Sequence, residues 1–128
     1  MASMSAQDRD RALHAWADGV WAHHAAVLVL TRTLGGRMAD EEWPWIVVAP
    51  SWCRSAVALD VTAFAEAPAY LSSVERLVVD LAASLCGRGV VDLGQLAHLG
   101  PQDGPVVVEA IACATLGTGV DPTHTYSH

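Results

Sequence analysis

The chain has 128 residues, of which 52% are hydrophobic and 16% are charged, and its formal net charge is −7. This length fits a single domain that buries a core without help from disulfides or metal. All of its Lys and Arg positions are Arg, and the acidic excess argues against nucleic-acid binding as the main function, because that binding needs clustered positive charge.

The three cysteines, Cys53, Cys86 and Cys113, lie far apart and include no Cys-x-x-Cys pair. Neither a disulfide framework nor a zinc site is therefore predicted. The N-terminal segment contains acidic residues and no continuous apolar core, which is not typical of a secretory signal. The longest apolar run, Ala25 to Leu30, is far too short to span a membrane. We expect a cytoplasmic protein with no cofactor, no bound metal and no membrane contact.

A first helix is predicted to begin after Ser5 or Asp8 and to end near Leu34, where Gly35-Gly36 follows. Its apolar residues recur close to one face. From Val27 to Leu30 the sequence is apolar on every side, so the second half of this helix is expected to be buried.

Sheet character is confined to the stretch after Pro44. The runs 45–49 and 56–61 are β-branched or apolar, and the segment 50–55 between them contains turn residues. This pattern predicts a β-hairpin over about 45–61. Because two strands alone are marginally stable, the hairpin must pack on the helices. A short helical turn capped by Thr62 is expected next.

The segment from Leu71 to Cys86 predicts the central helix. Ser72 and Glu75 fit a capping box at its start, and Gly87 can supply the left-handed backbone that ends a helix. Its apolar residues form two neighbouring edges and leave one polar strip, which is typical of a helix at the centre of a fold.

Two shorter elements complete the pattern. Asp92 is a good N-cap for a short helix over Leu93–Leu99, and Pro105 is expected to open a last helix that ends at Leu116. The predicted fold is mainly α, with four to five helices around the central helix and one hairpin. Residues 1–116 form one helical domain, and residues 117–128 read as a flexible tail.

The strongest candidates for a catalytic site are polar side chains on the first helix. His14 and Asp18 are four residues apart, so on a continuous helix they lie one above the other. A carboxylate that orients an imidazole can make a general base, although an exposed helical pair has the same spacing. His23 and His24 diverge by about 100° around the helix and cannot easily share a metal ion. His24 falls on the apolar face.

The tryptophans are unusually frequent, five against a single Phe. Trp43, Trp45 and Trp52 cluster around the predicted hairpin. Tryptophan is enriched in binding hot spots because a large apolar ring carries a polar N–H. The alternative is that these rings fill the gap between a thin hairpin and the helices.

We therefore favour a non-enzymatic protein-interaction module, a small accessory or regulatory protein that self-associates or docks on a protein partner. The apolar last helix and the surplus of tryptophan exceed what a core of this size requires. The predicted interaction surface consists of Trp43, Trp45, Trp52, Val107 and Ile111. On this hypothesis, Val107→Asp or Trp45→Ala disrupts assembly.

The alternative function is a small helical enzyme or small-molecule-binding protein. Its pocket would be lined by tryptophan and lie between the first and central helices, with His14, Asp18, His23 and Glu75 as its polar groups. No Gly-x-Ser-x-Gly elbow, phosphate-binding loop or dinucleotide fingerprint occurs in the sequence.

Overall fold

A computed structural model describes residues 4–117. Within them the fold is mainly α-helical with one antiparallel hairpin, as predicted. The α-helices and strands are α1 (Ala6–Trp16), α2 (Trp21–Arg32), β1 (Ile46–Val48), β2 (Val57–Leu59), α3 (Ser73–Leu85) and α4 (Gly100–Leu116). Three 3-10 helices, Leu34–Ala39, Val61–Glu66 and Leu93–Leu99, join them. Most of the predicted tail, 118–128, lies outside the described residues.

Helix α2 packs against both α3 and α4. Its second half is buried, as predicted from its uniformly apolar sequence. Helix α4 runs antiparallel to α2: the Cys113 thiol lies 3.7 Å from the Trp21 carbonyl oxygen at one end. At the other end the Leu34 amide donates to the Asp103 carboxylate at 3.3 Å. The core is thus built between helices that are distant in sequence.

The first helix was predicted as one element, and this is wrong, because the structure divides it into α1 and α2. Helix α1 begins after Ser5, whose hydroxyl accepts the Asp8 amide at 3.1 Å, and it ends at Trp16. The chain then turns at Gly19, where φ is +88°, a left-handed conformation that costs a residue with a Cβ atom. The turn lets α1 leave the line of α2 and pack on β2, while α1 still contacts α2.

The Gly19→Ala substitution is therefore expected to lower the free energy of unfolding by about 1 kcal/mol. Urea denaturation followed by circular dichroism measures this change. Gly89→Ala is the matched control, because a Cβ atom at Gly89 meets nothing within 4 Å and this glycine is not among those with positive φ. Equal losses in the two variants would contradict the proposed cause.

The predicted hairpin is confirmed. Its register pairs Ile46 with Leu59 and Val48 with Val57. Strand β2 is buried throughout, whereas β1 is partly exposed. The following helical turn is capped by Asp60 rather than by Thr62, because the Asp60 carboxylate accepts the Thr62 amide at 3.1 Å and the Thr62 hydroxyl at 2.6 Å.

The predicted capping box of α3 is also confirmed. The Ser72 hydroxyl accepts the Glu75 amide at 3.1 Å, and the Ser72 amide donates to the Glu75 carboxylate at 2.9 Å. Helix α4 begins at Gly100, earlier than predicted, so that Pro105 lies inside it. A proline so near the helix start removes one hydrogen bond of the opening turns, and the helix tolerates this loss.

Candidate functional site

The histidines of the first two helices form a stacked cluster. His14 of α1 and His24 of α2 have their Nδ1 atoms 3.3 Å apart, and their ring centroids are separated by 5.5 Å. His23 stacks on Trp16 with a centroid distance of 4.7 Å. The predicted alignment of His14 above Asp18 assumes a continuous helix, and that assumption is wrong, because α1 ends at Trp16 and Asp18 lies in the following turn.

Burial shapes the chemistry of these rings. The pKa of His14 is lowered, first by burial and then by the positive charge of Arg32. Burial also lowers the pKa of His23. Both shifts favour the neutral imidazole. Within residues 4–117 no group of three or more His, Cys, Asp or Glu side chains is arranged to hold a metal ion.

Glu75 lies at a different place in the fold. Its carboxylate accepts the Ser72 amide and forms an ion pair with Arg37 Nε at 3.2 Å. The bonds from Ser72 are the main cause of its lowered pKa. Arg37 follows the C-terminal end of α2, whereas His24 is near its N-terminal end, and about 12 Å of helix separates His24 from Arg32. The structure therefore pairs Glu75 with Ser72 and Arg37.

Two of the hairpin tryptophans belong to the core. Trp43 and Trp45 are buried and stack with a centroid distance of 5.2 Å. Their indole N–H groups donate to the carbonyl oxygens of Arg37 and Met38 at 2.7 and 2.8 Å. Their assignment to an interaction surface is wrong, because these rings fill the space between the hairpin and the helices. Trp52, in the hairpin loop, is 56% exposed.

The valines of the last helix lie partly in the core and partly at the surface. Val107 is only 4% exposed, so it too was wrongly assigned to the predicted surface, and Val107→Asp would perturb the core rather than an interface. Its neighbour Val108 is 69% exposed, and Ile111 is 40% exposed. The sequence alone could not separate these positions, because α4 is apolar on almost every side.

The exposed side of α4 carries a continuous uncharged stripe. We call it the α4 face, and it consists of Pro101, Pro105, Val108, Ile111, Ala112, Thr115 and Leu116. These residues recur at spacings of three and four, which place them on one side of the helix. Glu109 lies beside the stripe, and both of its carboxylate oxygens are 2.9 Å from Arg32 Nη1.

None of the helices within residues 4–117 is long and apolar enough to cross a membrane. Comparison of the chain with protein-family models, with curated proteins and with solved structures finds no match.

Proposed function

We propose that this chain is a non-enzymatic protein-interaction module that binds a second copy of itself through the α4 face. The observation that carries the proposal is the exposure of large apolar side chains along that face, with Val108 at 69% and Leu116 at 70%. Single exposed apolar residues are normal on a protein surface. An aligned row of them is typical of a surface that is covered by a partner.

The charge distribution favours a second copy as that partner. A two-fold interface places the same surface of both copies together, and two copies of a chain with net charge −7 repel each other. The α4 face contains no acidic residue. Glu109 beside it is balanced by Arg32 at 2.9 Å. Two copies can therefore approach at α4 without bringing unpaired carboxylates together.

The dimensions of the face indicate the strength of the association. A helix of this length is about 25 Å long, and contact through one helix falls at the small end of the range of specific interfaces. We therefore expect a reversible dimer with a micromolar dissociation constant. Such an affinity suits a small accessory or regulatory protein, whose assembly responds to its concentration.

Sedimentation velocity over a range of micromolar concentrations tests this proposal. We expect a monomer–dimer equilibrium in the wild type and, in Val108→Asp, a dissociation constant raised by at least about tenfold, because a charge would be buried at the contact. Val90→Asp is the matched control, since Val90 is 90% exposed and lies in the loop that follows α3 rather than on α4. A wild type that stays monomeric, or equal dissociation constants for both variants, would refute the proposal.

The predicted alternative, an enzyme or small-molecule binder with a pocket between the first and central helices, has less support. His23 stacks on Trp16, and Glu75 serves as a helix cap and ion-pair partner. These contacts account for both side chains in structural terms.

A further inference from the structure

One edge of α3 borders two neighbouring cavities. The first, about 260 Å³, lies between α3 and the 3-10 helix Leu93–Leu99. The second, about 190 Å³, lies between α3, the 3-10 helix Val61–Glu66 and the loop 88–90. Arg76 and Asp80 line both cavities. We call the larger one the α3 cleft; no residue of the α4 face lines it.

Arg76 and Asp80, the charged residues that α3 contributes to the cleft, are one helical turn apart and are not joined by an ion pair. Arg76 Nη2 instead donates to the Pro68 carbonyl oxygen at 2.8 Å, which fixes the guanidinium group. The Asp80 carboxylate makes no hydrogen bond or ion pair with the residues 4–117. Burial raises its pKa, and the charge of Arg76 opposes this effect. The cleft therefore presents a fixed cation beside a partly desolvated carboxylate that has no hydrogen-bond or ion-pair partner among the described residues.

The remaining walls of the α3 cleft are mixed in character. Gln95 and His98 face it from the 3-10 helix Leu93–Leu99. Leu77 and Val91 give it an apolar portion. Its volume lies just below the usual range for small-molecule sites, so an occupant of few atoms is indicated.

The charges select among possible occupants. An anion such as phosphate would be attracted by Arg76 but repelled by Asp80 and by Asp92, which also lines the cleft. A metal cation would meet the guanidinium group of Arg76. A molecule with both charges can pair with Arg76 and with Asp80 at the same time.

We propose that the α3 cleft binds a free aliphatic amino acid, with the ligand carboxylate on Arg76, its ammonium group on Asp80 and its side chain against Leu77 and Val91. The site is distinct from the α4 face, so it adds a ligand-binding function to the proposed self-association. Ligand binding at the α3 cleft and self-association through the α4 face can each occur without the other.

Titration of the full ¹⁵N-labelled chain with L-leucine, followed by two-dimensional NMR, tests the inference. We expect saturable shifts at the amides of Leu77, Val91 and Gln95. Two matched probes each lack one charge: 4-methylpentanoate has no ammonium group, and 3-methylbutylamine has no carboxylate. L-leucine is expected to bind at least about tenfold more tightly than either probe, because each probe loses one charge-assisted contact.

Variants locate the site. Asp80→Asn keeps the side-chain shape and removes the charge, so its affinity for L-leucine should fall at least about tenfold. Arg76→Gln should have a similar effect. Glu42→Gln, at an exposed position in the segment before the hairpin, should bind like the wild type. The same spectra report whether each variant is folded.

Three outcomes would overturn the inference. The first is the absence of saturable shifts with L-leucine. The second is equal affinity for L-leucine and the two probes, which would show that the paired charges do not select the ligand. The third is unchanged affinity in a folded Asp80→Asn variant, which would place any binding elsewhere.

Discussion

Replacing Trp45 with Ala should lower the free energy of unfolding by about 3 to 5 kcal/mol. The Trp45 ring is fully buried, stacks on Trp43 and contacts the ring of Phe64 at a centroid distance of 5.6 Å. Its removal leaves a cavity and also leaves the Met38 carbonyl oxygen without the indole donor. Guanidinium denaturation followed by far-ultraviolet circular dichroism measures the change independently of tryptophan fluorescence.

Trp52→Ala provides the matched control for this prediction. Trp52 belongs to the same hairpin but is 56% exposed in its loop, so its replacement should change the free energy of unfolding by no more than about 0.5 kcal/mol. The loss in free energy of unfolding for Trp45→Phe should lie between the losses for Trp45→Ala and Trp52→Ala, because this variant keeps an aromatic ring and loses the N–H donor. Similar losses for Trp45→Ala and Trp52→Ala would show that the hairpin is not held to the helices by Trp45.

Lowering the pH from about 7.5 to about 5.5 should reduce the stability of the fold, because burial lowers the pKa of His14. Above the ordinary histidine pKa the ring is neutral in both states and contributes no pH dependence. Below that pKa, His14 in the unfolded chain binds a proton that the folded chain binds less well. The free energy of unfolding therefore falls as the pH is lowered. Chemical denaturation at a series of pH values measures this slope.

Two features around His14 disfavour its charged form in the folded state. Its ring is partly withdrawn from solvent, and the positive charge of Arg32 opposes an added proton. Both are lost when the chain unfolds, so the unfolded state binds the proton more strongly.

His14→Phe should weaken the pH dependence of the free energy of unfolding. This variant keeps an aromatic ring in the stack and removes the group that titrates. His98→Asn, at an exposed position on another element, should keep the wild-type slope. Asp10 and Asp80, whose pKa values are raised by burial, act in the opposite direction, because their carboxyl groups bind a proton more strongly in the folded state. His14→Phe leaves their contribution in place, so the difference in slope from the wild type reports on His14. A His14→Phe slope equal to that of the wild type would contradict the assignment.

Features made by residues close in sequence could be predicted. The capping box depends on Ser72 and Glu75, which are three residues apart, and the cap of the 3-10 helix Leu93–Leu99 depends on Asp92 and Gly94. The hairpin follows from two β-branched runs with turn residues between them. In each case the bonding partners lie inside one short segment, so the sequence pattern contains the whole interaction.

The break between α1 and α2 was missed for a geometric reason. The turn from Ala17 to Val20 has nearly the length of one helical turn, so the apolar pattern continues in phase across it. The Asp18-Gly19 dipeptide was the available signal, since such a pair marks turns.

The candidate sites depend on tertiary contacts, which the spacing of apolar residues in the sequence does not reveal. The choice between Val107 and Val108 as the buried valine is made by the packing of α4 on α2. The contact between His14 and His24 requires the turn at Gly19, and the separation of Arg76 from Asp80 requires the Pro68 carbonyl oxygen. Each of these is a tertiary arrangement, which only the three-dimensional structure shows.

The antiparallel packing of α4 on α2 has a consequence for synthesis of the chain. The apolar surface of α2 emerges from the ribosome early, and the helix that covers much of it emerges last among the described elements. At 5–20 residues per second, α2 waits roughly 4 to 16 s for α4. During this interval the nascent chain exposes an aggregation-prone helix, and a ribosome that stalls before α4 would release a product with α2 uncovered, which is a natural target for chaperones and proteases.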